Sequence, residues 1–270
     1  MKTPAVARRP GFPVSLKAGS GLPSATKNRA TNVALASARG LNSDSGQPRT
    51  LISSGAGLDI HPLRVRMVQK LAAQGLADPQ VLAAMGVVER HRFVDSALSN
   101  QAYEDTSLPI GLGQTISKPN VVARMLELLM RGQSGKLGRV LEIGTGCGYQ
   151  AAVLGQLATE VYSMERLRGL HDRARENLRP FRLPNVHLLF GDGMAGFAKG
   201  APYAAIISAA GGVNIPAAWI EQLAIGGRLV APTQTAGGGQ TLMVVDKTTE
   251  GVRQTVLEAV HFVPLKSGTN

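Results

Sequence analysis

The sequence has a single cysteine, no long hydrophobic run and fewer acidic than basic residues. Cys147 is the only cysteine among 270 residues, which excludes an internal disulfide and a cysteine-based metal cage. No apolar run reaches the roughly 18 to 20 residues that a bilayer-spanning helix needs, which argues against an integral membrane protein. The hydrophobic content of 44% is ordinary for a globular chain.

The shortage of acidic residues leaves a strongly basic chain. There are 29 lysines and arginines against 18 acidic residues, so the formal net charge is +11. Such a value favours a nucleic-acid partner. However, residues 1–60 hold eight basic and two acidic residues, and residues 61–270 hold 21 and 16. More than half of the excess charge thus belongs to less than a quarter of the chain.

Residues 1–59 are predicted to form a disordered basic tail. They are rich in Ser, Gly, Ala, Thr and Pro and lack any sustained hydrophobic period, so they cannot bury enough surface to offset the entropy of ordering. No apolar segment follows the early arginines, which argues against a secretory signal. A transit peptide is compositionally acceptable, but a solvated tail or a start codon placed too far upstream is favoured.

Residues 60–270 carry the patterns of an ordered α/β domain. Residues 61–74 and 79–88 show helical spacing, with Asp78 as N-cap of the second helix. Residues 109–119 are expected to form a loop. From residue 139 onward short apolar strands alternate with helices, which predicts a mostly parallel sheet covered on both faces. The final strand is expected at residues 256–263, in an antiparallel pair at one edge.

A glycine-rich turn follows the first strand of this alternating region. Its sequence is Gly144-Thr145-Gly146-Cys147-Gly148. A dinucleotide fingerprint needs a glycine at Tyr149, and a phosphate-binding loop needs a following Gly-Lys-Ser/Thr, so neither motif is present. Glu165 ends the next strand, where an acidic residue can accept hydrogen bonds from ribose hydroxyls. With Gly191-Asp192-Gly193 after the third strand, the set favours a nucleoside without a pyrophosphate.

These residues resemble the first motifs of class I S-adenosylmethionine-dependent methyltransferases. The similarity extends along residues 60–266 to the protein-L-isoaspartate (D-aspartate) O-methyltransferase family. The segments that carry it are Arg90-His91-Arg92-Phe93-Val94, Ala102-Tyr103-Glu104-Asp105, Leu108-Pro109-Ile110-Gly111, Gly113-Gln114-Thr115-Ile116-Ser117, Ala201-Pro202-Tyr203, Gly226-Gly227-Arg228-Leu229 and Phe262-Val263-Pro264-Leu265. The Gln-Thr-Ile-Ser run is the most specific of them.

The resemblance implies a Rossmann-like doubly wound methyltransferase sheet, mostly parallel with an antiparallel C-terminal edge, after a small helical subdomain. Residues 60–118 would form a helical cap and substrate loop, and residues 119–270 the core. It also implies methyl transfer from S-adenosylmethionine to the α-carboxylate of L-isoaspartyl residues, and of D-aspartyl residues in some members. The ester then collapses to a succinimide, whose hydrolysis returns some normal aspartate.

The resemblance also assigns site residues. It implies Ser117 as the active-site residue. The implied cofactor-binding residues are Gln114, Thr115, Ile116, Glu142, Gly144, Gly146, Glu165, Asp192, Gly193, Thr235 and Gln240. The expected partners are isoaspartyl-containing proteins and peptides, with no nucleic acid and no membrane, and the expected enzyme is a cytoplasmic monomer.

The chemistry requires no general base. The substrate carboxylate has a pKa near 4, so it is ionised at neutral pH, and the sulfonium is already a good electrophile. The protein must orient the reactants and exclude water. The absence of a strong acid–base constellation from the sequence agrees with this mechanism. Ser117 is therefore expected to hold one carboxylate oxygen while the other attacks.

Several alternatives are weighed against this interpretation. An S-adenosylmethionine-dependent RNA methyltransferase is suggested by the charge, but the Asn/Asp-Pro-Pro-aromatic motif of base methylation is replaced by Ser208-Ala209-Ala210-Gly211. A binder that has lost activity is disfavoured by the intact motifs. Cys147 is expected to be a small packing residue rather than a nucleophile. The five histidines lack metal-ligand spacing, so no metal is expected.

Overall fold

A computed structural model describes residues 60–270, and the predictions for residues 1–59 lie outside them. The described chain begins with α1 (His61–Ala73) and α2 (Pro79–Val87). Asp78 Oδ1 accepts hydrogen bonds from the backbone N–H groups of Gln80 and Val81 at 2.9 and 3.0 Å, which confirms the predicted cap. Two short 3₁₀ segments, Arg90–Phe93 and Ser96–Gln101, follow.

A two-stranded hairpin occupies the region predicted as a loop. Strand β1 (Leu108–Gly111) pairs antiparallel with β2 (Gln114–Ile116). The strands have four and three residues, which is too short for an alternating pattern to be recognised in the sequence. Gly111, Leu112 and Gly113 form the tip, and all three have positive φ, of 91°, 52° and 69°.

The remaining strands form one seven-stranded sheet. Its order is β5-β4-β3-β6-β7-β8-β9, parallel from β5 to β7 and antiparallel at β8 and β9. This confirms the α/β class and the antiparallel edge. The strand bounds are β3 (Leu137–Ile143), β4 (Ala158–Glu165), β5 (Val186–Phe190), β6 (Tyr203–Ser208), β7 (Leu223–Gln234), β8 (Gln240–Thr248) and β9 (Gly251–Val260).

Helices cover both faces of the sheet. They are α3 (Pro119–Met130), α4 (Tyr149–Leu157), α5 (Arg168–Leu178) and α6 (Ala217–Gln222). The neighbouring residues Val140 and Leu141 of β3 belong to different buried apolar clusters, because successive strand side chains point to opposite faces. Val140 belongs to the larger cluster, with α3, α4 and the N-terminal helices, and Leu141 to the smaller one around Trp219. No helix within residues 60–270 has the length and apolar character of a membrane span.

The last strand differs from its predicted bounds. It runs over Gly251–Val260 instead of residues 256–263. Every residue from 251 to 256 is exposed, so the first half of this edge strand carries no buried face that an alternating pattern could reveal. Phe262 is buried after the strand has ended, which extended the apparent pattern too far.

Candidate active site

The carboxyl ends of β3, β4 and β5 open into one cleft. In a parallel sheet these ends meet at one edge, where ligands bind. The cleft has a volume of about 380 Å³, within the range of small-molecule sites. Of the predicted cofactor residues it brings together Gln114, Thr115, Gly144, Gly146, Glu165 and Gly193.

Two glycines on the cleft wall allow close backbone approach. Gly146 has φ +56°, and a Cβ there would lie 3.2 Å from Ile110 Cδ1 of the hairpin. A Cβ on Gly193 would lie 2.5 Å from Ile143 Cγ2, so no side chain fits without displacing the Ile143 side chain. Gly193 therefore requires glycine, and the positive φ of Gly146 favours it there, so that main-chain atoms line the cleft at both positions.

The Glu165 carboxylate is oriented by backbone donors at the end of β4. Its Oε2 accepts from Gly146 N at 2.9 Å, and its Oε1 accepts from Arg166 N and Leu167 N at 2.9 and 3.0 Å. The residue is 5% exposed. Three of about four lone-pair positions are thus filled by the protein, which leaves room for a donor from a ligand.

Asp192 lies beside the cleft at the end of β5. Its Oδ1 accepts from Met194 N at 2.8 Å, and its Oδ2 accepts from Gly268 N at 2.7 Å. Glycine-lined backbone, one carboxylate wall residue and a second carboxylate nearby form an acceptor set that suits the hydroxyls and amino group of a nucleoside. No phosphate-binding lysine turn is present, so a nucleoside fits better than a nucleotide.

Ser117 joins the cleft to a second cavity. A small pocket containing Ser117 and Ile116 shares Ile110, Gly144 and Gly146 with the cleft. On its other side Ser117 lines a cavity of about 280 Å³ together with Ser107, Lys118, Val121, Ala259, Val260 and His261. The serine thus stands where a group entering from the outer cavity would meet a group held in the cleft.

Two arginines hold the hairpin and Ser117, the residue that follows it. Arg90 is fully buried, and its Nη2 donates to Ser117 O at 2.7 Å while its Nε donates to Ala102 O at 2.7 Å. Its guanidinium lies over the Tyr149 ring, 4.8 Å from the centroid. At the other end of the hairpin, Arg173 Nη1 donates to Ile110 O at 2.8 Å.

Glu142, a predicted cofactor residue, does not line the cleft. It is fully buried in β3 and accepts a hydrogen bond from the Ser163 hydroxyl on β4. Burial raises the pKa of its carboxyl to about 8, against the opposing effect of the Ser163 hydrogen bond. Its position indicates a buried link between strands.

Thr235 and Gln240 also lie outside the cleft wall. Thr235 Oγ1 donates to Gly239 O at 3.2 Å within the β7–β8 turn. Gln240 Oε1 accepts from Phe262 N at 2.7 Å, and its Nε2 donates to Phe262 O at 3.2 Å. Gln240 thereby holds the chain immediately before Val263, which does line the cleft.

Several wall residues were not predicted from the sequence. They include Leu112, Met164, Leu170, Ala209, Ala210, Lys266 and Asn270. Ala209 could have been predicted as a wall residue, because it follows β6 at the carboxyl edge of the sheet. Residues 266–270 could not, because no periodicity or motif marks them.

Cys147 and the described histidines show no catalytic or metal constellation. Burial raises the pKa of the Cys147 thiol, which disfavours the nucleophilic thiolate. Within residues 60–270 no group of three or more His, Cys, Asp or Glu side chains could hold a metal ion.

The seven-stranded sheet and its nucleoside-sized cleft, with a glycine turn and successive acidic strand ends, define an S-adenosylmethionine-dependent methyltransferase. The family model described as Protein-L-isoaspartate(D-aspartate) O-methyltransferase (PCMT) matches residues 64–270. The chain belongs to this family.

Similar proteins agree with the assignment. A protein-L-isoaspartate O-methyltransferase of Methylibium petroleiphilum is 60% identical over 220 residues, covering 80% of this chain and 82% of the relative. One of Leptothrix cholodnii is 60% identical over 225 residues, covering 82% and 80%. A solved protein-L-isoaspartate O-methyltransferase has a TM-score of 0.69 at 27% identity, covering 76% of this chain and 66% of that one.

The activity is that of the family. The enzyme transfers a methyl group from S-adenosylmethionine to isoaspartyl residues of damaged proteins, as the first step of their repair. The comparisons do not favour the RNA methyltransferase alternative.

Proposed function

We propose that the cleft at the ends of β3, β4 and β5 holds S-adenosylmethionine and that Ser117 presents the α-carboxylate of an L-isoaspartyl residue to it. The observation that carries this proposal is the position of Ser117, which lines both the pocket continuous with the cleft and the outer cavity. Lys118 lies in the outer cavity and favours an anionic group there.

Different residues of the cleft contact different parts of the cofactor. Glu165 accepts from a ribose hydroxyl, and Asp192 with Gly193 meets the adenine edge. The backbone of Gly144 and Gly146 and the hairpin residues Gln114 and Thr115 line the remainder. Ile116, Glu142 and Gln240 act through packing or hydrogen bonds behind the wall, and Thr235 supports the β7–β8 turn.

Orientation and exclusion of water account for the chemistry. When bound, S-adenosylmethionine supplies an electrophilic methyl group. The Ser117 hydroxyl donates to one oxygen of the ionised substrate carboxylate, which leaves the other free to form the new C–O bond as the carbon–sulfur bond breaks. No proton needs to move, so no side chain has to act as a base.

Transfer of tritiated methyl groups tests the activity. The acceptors are an isoaspartyl peptide, its normal aspartyl twin and RNA. We expect base-labile label in the isoaspartyl peptide alone. Label in RNA, or in none of the three, would contradict the proposal.

Substitution of Ser117 tests the site. Ser117→Ala is expected to lower kcat about 10- to 100-fold, because one hydrogen bond to the reacting group is lost. S-adenosylhomocysteine should bind it with an unchanged Kd in calorimetry. The matched control is Ser96→Ala, on an exposed 3₁₀ turn, which should retain full turnover. Unchanged turnover by Ser117→Ala would remove the serine from the site.

We further propose a cytoplasmic monomer that has no nucleic-acid partner. The mild charge excess of residues 61–270 and the buried single cysteine support it. Light scattering coupled to gel filtration tests the monomer.

A further inference from the structure

Residues 266–270 run along the turn that follows β4, and we call this segment the strap. Asn270 N donates to Arg166 O at 2.9 Å, and Arg168 N donates to Asn270 O at 2.8 Å. Arg166 Nε also donates to Gly268 O at 2.8 Å. The strap is thus held to the residues next to Glu165 by three hydrogen bonds, although about a hundred positions separate the two in sequence.

The strap also reaches the end of β5. Gly268 N donates to Asp192 Oδ2 at 2.7 Å, a charge-assisted bond of short length. Gly268 has φ +76°, which directs its N–H in a conformation that glycine adopts without strain. The strap therefore connects the β4 and β5 ends, which carry Glu165 and Asp192.

The strap forms part of the cleft wall and leaves the cleft open. Lys266 and Asn270 line the cleft, whose volume is about 380 Å³ with the strap in place. That volume lies within the range of small-molecule sites. The strap therefore lies where it can cover a ligand in the cleft, and it does not fill the cleft itself.

We propose that the strap closes the adenosine end of the cofactor cleft and slows release of the cofactor. This rests on the proposed placement of adenosine beside Glu165 and Asp192. The Gly268 and Met194 N–H groups fix both oxygens of Asp192 before a ligand arrives, so an incoming amino group meets an oriented acceptor. The charged side chains that bond to the strap are those of Arg166 and Asp192.

The substitution Gly268→Pro tests the strap in the full-length chain. Proline lacks the N–H that bonds Asp192 and cannot adopt φ +76°. We expect the Kd of S-adenosylhomocysteine in calorimetry to rise about tenfold, which corresponds to the loss of one or two hydrogen bonds. Stopped-flow dissociation should accelerate by a similar factor, and the KM for S-adenosylmethionine should rise with the Kd.

Two further variants complete the experiment. Thr269→Ala, an exposed neighbour in the strap, is the matched control and should bind as the unmodified protein does. Arg166→Leu removes the side-chain bond to Gly268 O at a residue that also lines the cleft, and we expect a smaller increase in Kd, about threefold. Arg166→Leu still tests the strap if Gly268→Pro fails to fold. A melting curve recorded without ligand shows whether Gly268→Pro is folded.

The outcomes separate the strap from the proposed function. An unchanged Kd in Gly268→Pro and Arg166→Leu overturns the strap proposal. Tighter binding also overturns it, because it would show that the strap obstructs the cofactor cleft. Failure of the unmodified protein to bind S-adenosylhomocysteine would instead overturn the proposed cofactor cleft.

Discussion

Arg90 connects the helical N-terminal part of the domain to the segment that carries Ser117. We predict that Arg90→Lys lowers kcat for the isoaspartyl peptide about tenfold, because one ammonium cannot replace the guanidinium fork that bonds both Ala102 O and Ser117 O. The free energy of unfolding should fall by about 2 kcal/mol in urea titrations, since one buried carbonyl loses its partner.

A positioning role for Arg90 is distinguished from a purely structural one by the kinetic constants. Misplacement of Ser117 should lower kcat with little change in the KM for S-adenosylmethionine. If the variant lost stability yet kept kcat at a temperature where it is folded, Arg90 would only support the fold.

The buried carboxyl of Glu142 makes the free energy of unfolding depend on pH. Its pKa is raised to about 8 in the folded protein from an ordinary value of 4.5, so the folded state holds a proton that the unfolded state releases. Its contribution to stability is therefore fully present below about pH 4.5 and is lost as pH rises through about 8.

We predict that Glu142→Gln, which mimics the protonated carboxyl, gains stability relative to the unmodified protein as pH rises. The gap in the free energy of unfolding should widen by up to about 1.4 kcal/mol per pH unit between pH 5 and 8. Denaturant titrations at pH 5, 6.5 and 8 measure it. A gap that stays constant with pH would show that Glu142 is ionised in the folded state.

The sequence motifs predicted where the site lies more accurately than they predicted which side chains line it. The glycine turn, Glu165 and Gly193 are found on the cleft wall because their backbone positions at strand ends follow from the alternating pattern. Glu142 lies two residues before Gly144, yet its carboxylate is bonded to the hydroxyl of Ser163, its register partner on β4, and does not reach the cleft. Side-chain direction depends on the sheet register, which the linear sequence did not provide.

At the scale of elements, the hairpin is tied to α5 by Arg173. We predict that Arg173→Met increases amide hydrogen exchange in residues 108–116 about tenfold, because it removes the bond to Ile110 O. Exchange in β3 and β4 should not change. The control is Arg175→Met on the exposed side of the same helix, and equal protection in both variants would contradict an anchoring role for Arg173.

The sequence predicted the elements with a strong period and missed those without one. The N-cap at Asp78 and the parallel orientation of strands β3–β7 follow from local chemistry and strand–helix alternation. The hairpin and the first half of β9 remained hidden, since three- or four-residue strands and a fully exposed edge give no hydrophobic period. Their pairing depends on contacts that are distant in sequence.

At the scale of the whole molecule, the family match covers residues 64–270, and we predict that residues 60–270 suffice for methyl transfer. We predict that deletion of residues 1–59 changes kcat/KM for the isoaspartyl peptide by less than about twofold, because the cleft and Ser117 lie outside the deleted segment. The same deletion removes more than half of the net charge.

Retention on RNA or heparin at low salt should weaken in the deleted protein, since non-specific binding follows the number of neutralised phosphates. A deleted protein that lost methyl transfer while remaining folded would place a functional role in residues 1–59. Chromatography in increasing salt measures the non-specific binding, and the peptide assay separately measures methyl transfer.

The backbone bonds of Glu165 also determine which ligands the cleft rejects. With its oxygens held by Gly146, Arg166 and Leu167, the carboxylate can only accept, and it cannot turn away. A sugar phosphorylated at this position would place anion against anion, and a deoxysugar would leave the carboxylate without its last donor. In the proposed arrangement, Glu165 therefore excludes adenosine compounds that carry a phosphate on the ribose oxygen it contacts, whereas 5′-phosphates keep that hydroxyl and must be discriminated elsewhere in the cleft.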